Sequence, residues 1–289
     1  MMKIRKAAAL LLALTIMLAF SGCGKMTAVK LAVKMAAAIA ESPMTSEKME
    51  MDFDMSIGAQ GITMDMEMDM VFDMVMAMDP YRAYMDMEVG MNLLGQNVTQ
   101  TMQTYVQAED GTVTTYTYSD SLDYWTKTVV DVSEDEMTSQ QSSYDWLAAK
   151  PVEELTLAEQ TQTIGEQEVY VLSCTVTGGE MQKMLNSMTS VQDTLEEAGM
   201  SGLDMSALTV PAVFYVDTKT FLPVQIELEI QGMDEMMAGM MEQILGEEVA
   251  LLGLEFEISQ IRAVITDIGY DAAEVPQVPQ EALDTAVEA

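Results

Sequence analysis

Met64-Asp65-Met66-Glu67-Met68-Asp69-Met70-Val71-Phe72-Asp73-Met74-Val75-Met76-Ala77-Met78-Asp79 carries an apolar residue at every even position and a carboxylate at most odd ones. Successive side chains of a strand point to opposite faces, so this run has a thioether and aromatic face and a largely acidic face. A helix would scatter the same residues around its axis. The flanking runs repeat the device, with Met49, Met51, Phe53, Met55 and Ile57 before it and Met85, Met87, Val89, Met91 and Leu93 after it. The pattern predicts an antiparallel sheet with one wet face and one apolar face that something must cover.

Working outward, strands are expected at 46–57, 61–78, 81–94, 97–108 and 112–119. Glu109-Asp110-Gly111 supplies a hairpin signal between the last two. Tyr105, Tyr116, Tyr118, Tyr124 and Trp125 gather nearby and either pack a sheet face or line the mouth of a cavity. Residues 133–149 read as loop and short helix. Further strands are expected at 154–164, 167–177, 210–217, 222–230 and 254–268, with helices at 25–40, 180–198 and 233–250. The last of these helices sets Met233, Met236, Met237, Met240, Met241, Ile244 and Leu245 on a helical period.

The chain has 289 residues, 31 of them Met, with 47 acidic against 13 basic residues and a formal charge of -34. A balance this acidic argues against nucleic acid and anionic membrane surfaces as partners unless the charge is strongly segregated. There is no histidine, so the commonest general base and metal ligand is missing. No Gly-x-Ser-x-Gly, Gly-x-Gly-x-x-Gly or phosphate loop occurs, and the carboxylates alternate as solvated acids do. The reading is therefore non-enzymatic, with no cofactor and no resident metal. The acid rows invite weak screening by divalent ions. Copper(I) binding through thioethers is a minor alternative to the simpler role of Met as an adaptable apolar lining.

Lys3, Arg5 and Lys6 precede the apolar run Ala7–Phe20, which is followed by Ser21-Gly22-Cys23. This resembles a bacterial lipobox, implying that residues 1–22 are a removed signal peptide and that Cys23 is lipidated. The expected location is the outer face of the bacterial cytoplasmic membrane. Loss of three positive charges would take the remaining chain from -34 to about -37. Cys174 is then left without an intrachain partner, in phase with Tyr170, Leu172 and Val176, and is expected to be a packed thiol.

The order of lipobox, N-terminal helix, long meander and helix after Gly178-Gly179 leads to Tyr215-Val216-Asp217-Thr218-Lys219-Thr220-Phe221-Leu222-Pro223-Val224. With Tyr124-Trp125-x-Lys127, this resembles the lipoprotein-carrier superfamily of LolA, LolB and LprG type, in particular uncharacterised lipid-anchored members from Gram-positive gut bacteria. The resemblance implies an α+β fold: a strongly curved, incompletely closed antiparallel half-barrel with helices over its concave face. It divides the chain into residues 1–22, an attachment and helical segment 23–45, a curved-sheet domain 46–270 and an extended or disordered acidic tail 271–289. It also implies an apolar cavity for a lipid-like ligand. The expected lining is Met49, Met51, Phe53, Met55, Met64, Met66, Met68, Met70, Phe72, Met74, Met76, Met85, Met87 and Met91, under a lid helix presenting Met236, Met237, Met240, Met241 and Ile244. The alternative is a non-catalytic surface or envelope-sensing module with a filled core and a protein partner.

Overall fold

Period two in the sequence becomes strand after strand in the computed structural model. It describes residues 25–59, 62–78, 80–93, 96–109, 111–131, 150, 152–186, 205–245 and 254–288. The targeting segment, Cys23 and the segment 133–149 lie outside the described residues, as do the continuations of two expected helices at 187–198 and 246–250.

Helix α1 (Ala28–Glu41) opens the fold, its amino end capped by Thr27, whose side chain accepts from the Lys30 N–H. Strands β1 (Ser46–Ala59), β2 (Ile62–Met78), β3 (Tyr81–Leu93), β4 (Gln96–Glu109), β5 (Thr112–Ser119) and β6 (Tyr124–Asp131) form an antiparallel meander. A 3₁₀ turn (Val152–Glu154) then leads to β7 (Thr156–Leu157), β8 (Gln162–Ile164) and β9 (Gln167–Thr177). Helix α2 (Gly178–Asn186) follows, then β10 (Thr209–Asp217), β11 (Pro223–Ile230), helix α3 (Met233–Leu245) and β12 (Leu254–Gly269). The chain ends with helix α4 (Gln280–Thr285) and β13 (Val287–Glu288). Strand order is β13-β6-β5-β4-β3-β2-β1-β12-β11-β10-β9-β7, with β8 on β9.

The start of α2 is a reciprocal cap. The Glu180 carboxylate accepts from the Thr177 N–H (2.8 Å) and hydroxyl (2.9 Å), while the Glu180 N–H donates to the Thr177 hydroxyl (3.4 Å). Gly178 is required beside it, because a Cβ there would collide with the Met205 carbonyl oxygen.

The expected strongly curved half-barrel is overturned. The sheet is mixed, since β13 runs parallel to β6, and it is neither strongly curled nor closed. Strong curvature needs bulges. The pairings β1–β2, β2–β3, β3–β4, β4–β5 and β5–β6 run in unbroken register. Register shifts occur only in β1–β12 and β10–β11 among the described pairings. The meander is therefore bound as a continuous ladder with no device that bends it shut.

Helices on one concave side are also not what forms. Directly paired residues share a face, so the row Leu172–Phe214–Ile226–Ile265–Met49–Phe72–Met87–Met102 traces one face across eight strands. Helix α1 lies on this face, burying Leu31, Ala32, Met35 and Ile39 against Leu172, Cys174, Ala212, Phe214, Val216 and Ile226. The expected tail, by contrast, is ordered and covers the other face. There Val278 and Ala282 pack on Tyr105, Tyr116 and Trp125, with Tyr84, Tyr118 and Ala286 around them. This decides the role of Tyr105, Tyr116, Tyr118 and Trp125 as a packed face, whereas Tyr124 is 46% exposed. The expected strand 154–164 is split into β7 and β8, because the polar run Glu159-Gln160-Thr161 has no core to fill.

Candidate functional site

The apolar face has two regions of different cover. Under α1, Leu172, Cys174, Ala212, Phe214, Val216 and Ile226 of β9 to β11 are buried, with Leu172 at 0% and Phe214 at 2% exposure. On β1 to β3 the same face is only half-buried. Met49, Met51, Phe53, Met55, Met66, Met68, Met70, Phe72, Met74, Met76, Met85, Met87 and Met91 are all of this class, and Met64 reaches 39% exposure.

Pairing fixes how these side chains meet. Met51 stands opposite Met70, Met55 opposite Met66, Phe53 opposite Met68 and Met49 opposite Phe72. On the other flank Met68 faces Met91, Phe72 faces Met87 and Met74 faces Met85. Directly opposed Cβ atoms in such ladders are about 4.5–5.5 Å apart, so the thioethers form one continuous platform. Flexible Met side chains let that platform reshape itself around an apolar surface. The expected lining residues are thus brought together on one face, on an open sheet.

Helix α3 packs beside β12, in the middle of the sheet. Met236 and Met237 are half-buried on it; the side chains of Met240, Met241 and Ile244 lie outside the description.

The opposite face is acidic, with Asp52 opposite Asp69, Asp54 opposite Glu67 and Asp73 opposite Asp86. Lys48 relieves part of this by pairing with Glu50 at 2.7 Å, and Arg262 reaches Glu227 at 3.4 Å. A concavity of about 360 Å³ opens here, lined among others by Glu67, Asp69, Glu88, Asn92 and Thr99. Its walls are carboxylate and amide, so it does not resemble a lipid cavity. Among the described residues, no group of three or more His, Cys, Asp or Glu side chains is placed to hold a metal ion. Nearer the covered part of this face, burial and the Asp86 carboxylate push the Tyr84 hydroxyl up to about 12.

Cys174 lies in the core under α1, as its phase in the strand implied. Burial pushes its thiol up to about 11, partly offset by Lys150, so it is a packing group and a poor nucleophile. Lys150 itself was not singled out by the sequence. Its ammonium is buried between Glu180 at 2.7 Å and Glu154 at 3.2 Å, tying the 3₁₀ turn to α2.

The expected turn between β10 and β11 forms, with side-chain bonding that the sequence did not show. Asp217 Oδ1 accepts from the N–H of Lys219 (2.8 Å), the N–H of Thr220 (2.7 Å) and the Thr220 hydroxyl (3.0 Å). Burial alone would raise the Asp217 carboxyl, but these bonds outweigh it and hold the group below its ordinary value. Phe221 follows at φ 61°, left-handed backbone that bulky residues rarely adopt, and the Lys34 ammonium sits 3.8 Å from its ring centroid.

The chain belongs to a family of unknown function, DUF6612, whose model matches residues 27–245. No curated protein matches it. Among solved structures it is similar to LprF from Mycobacterium bovis, at 8% identity and a TM-score of 0.38 over 86% of this chain and 96% of that one. It is also similar to the Mycobacterium tuberculosis lipoprotein LppX, at 10% identity and a TM-score of 0.33 over 85% and 98%. A porin-like protein from Bacteroides uniformis aligns at 9% identity and a TM-score of 0.25, over 79% of this chain and 97% of that one. These are distant resemblances.

Proposed function

We propose that the chain is an extracytoplasmic lipoprotein, attached to the membrane through Cys23, whose methionine platform binds a hydrophobic, lipid-like ligand. The observation that carries this reading is the difference in cover along one continuous face. The row that is fully buried at Leu172 and Phe214 under α1 is only half-buried at Met49, Phe72 and Met87. Apolar surface left in contact with water gains from any ligand that removes it, by about 0.8 kcal/mol per buried methylene. Attachment rests on the basic n-region, the apolar run and Ser21-Gly22-Cys23. The role is binding, and no catalytic chemistry is invoked.

The test is a pair of substitutions on neighbouring residues of opposite faces. Met68→Asp puts a carboxylate where a ligand would have to desolvate it, and should abolish binding of a fluorescent fatty acid. Glu67→Gln should leave binding intact. Circular dichroism must show both variants folded; retained binding in a folded Met68→Asp protein would defeat the reading. The open form of the sheet favours a second occupant, a protein surface laid against the platform. That reading gains if wild-type protein stripped of lipid binds no apolar probe.

A further inference from the structure

We propose that α1 and the β10–β11 turn form a docking surface for anionic lipid headgroups, seating the protein against its own membrane. This deepens the proposed function, because it rests on Cys23 being the anchor. Cys23 precedes the first residue of α1, Ala28, by five positions, so the tether spans at most about 18 Å. The membrane surface is then within reach of this helix.

The chemistry of the helix fits that surface. Leu31, Ala32, Met35 and Ile39 face the core, which leaves Lys30, Val33, Lys34, Ala37 and Ala40 turned outward. Ala37 and Ala40 are exposed, Lys30, Val33 and Lys34 half-buried. Lys25 is exposed just ahead of the helix, and the only acid within it is its last residue, Glu41. Small apolar residues interleaved with lysines, with a helix carboxylate only at the far end, suit the headgroup region of an anionic bilayer.

The adjoining turn adds to the same surface. Phe221 is held left-handed next to Lys34, and Lys219 stands two residues away in the same turn. Asp217 is the acid of that turn, but it is buried and occupied by three hydrogen bonds. Glu168 borders the turn, its carbonyl accepting from the Thr218 N–H and its carboxylate from the Thr161 hydroxyl. Phe221 also packs on the core cluster under α1, so the left-handed turn carries its ring to the junction of core and surface, beside a cation.

The acid rows of β1 to β3 do not oppose this contact. The carboxylate rows of β1 to β3 lie on the face of the sheet opposite α1. The lysines therefore meet the membrane while the acids point away from it.

The test uses protein processed as a lipoprotein, carrying Ala37→Cys labelled with a fluorophore, reconstituted into vesicles containing nitroxide-labelled lipid. Cys174 is buried and escapes the label. Vesicles are phosphatidylcholine alone or phosphatidylcholine with phosphatidylglycerol. Quenching at position 37 is expected to be markedly stronger in the anionic vesicles. It should fall to the neutral level in Lys30→Glu/Lys34→Glu/Lys219→Glu. Each lysine near such a surface is worth about fivefold, so removing three lowers the docked population about a hundredfold. Because Lys34 also packs on Phe221, Lys25→Glu/Lys30→Glu serves as a second variant that spares that contact.

Equal quenching in both vesicle types, or quenching indifferent to charge reversal in a folded variant, overturns the docking surface while flotation with both vesicles leaves the anchor standing. Flotation with anionic vesicles alone removes the anchor, and with it the tethered docking proposed here. Flotation with neither overturns both.

Discussion

Met35→Ala and Met70→Ala make the same chemical change on the same face of the same sheet, under different cover. Met35 is 0% exposed between α1 and the sheet, so truncation forfeits full transfer of the side chain and leaves a closed cavity. Such changes cost about 2–5 kcal/mol. Met70 is half-buried on β2, opposite Met51 and Val89. About half of the roughly 1.5–3 kcal/mol that complete burial of such a side chain contributes is at stake there, and water can enter the gap. Its truncation should cost about 1 kcal/mol. Urea titration of wild type and both variants, followed by far-UV circular dichroism, gives the two values with a common m-value. If Met70→Ala destabilises as much as Met35→Ala, the platform is a sealed core and the reasoning from half-burial fails.

Asp217→Ala removes the acceptor of three hydrogen bonds and should cost about 2 kcal/mol at neutral pH, by thermal melts. Because the folded carboxyl is held below its ordinary value, its contribution is fully present above that ordinary value of 3.8 and is lost as pH falls through the lower folded one. The gap between wild type and variant should therefore close in acid. Moderate NaCl should raise the melting temperature, since screening to about 8 Å at 0.15 M weakens the repulsion between Asp52 and Asp69 and between Asp73 and Asp86. Val278→Asp buries a carboxylate against Tyr105, Tyr116 and Trp125. It should release the tail, seen as a red shift of Trp125 emission and faster proteolysis after residue 271; an unchanged spectrum would contradict the packing of the tail on that face.

The strands and their faces were legible because the code is local. Alternation at Met64–Met78 states which residues share a side, and Tyr170, Leu172 and Cys174 state the same for β9. The start of α2 was legible from the two glycines, whereas the reciprocal cap of Thr177 and Glu180 was not read. Curvature was not, because it depends on where the ladder slips, and an unbroken run such as β1 to β4 reads the same flat or curled. The tail was misread because Pro276, Pro279 and its acids carry the composition of loose chain. Its contact signal is only Val275, Val278 and Ala282, three buried residues at irregular spacing. Strand β6 was hidden by the same problem, since Trp125 is buried on it while Val129 and Val130 are exposed. Among the expected site residues, the platform was found by its period. The turn at Asp217–Phe221 was visible as a turn, but its left-handed Phe221 and the approach of Lys34 depend on packing between distant segments.

The central claim is that the face of Met49, Met68, Met70 and Phe72 holds an apolar ligand. Its most direct test is mass spectrometry of the organic phase extracted from protein purified under mild conditions. A discrete hydrophobic compound in near-stoichiometric amount from wild type, depleted in folded Met68→Asp, is the predicted result. An empty organic phase from wild type, together with no saturable uptake of a fluorescent fatty acid by the stripped protein, would contradict the claim and assign the platform to a protein partner.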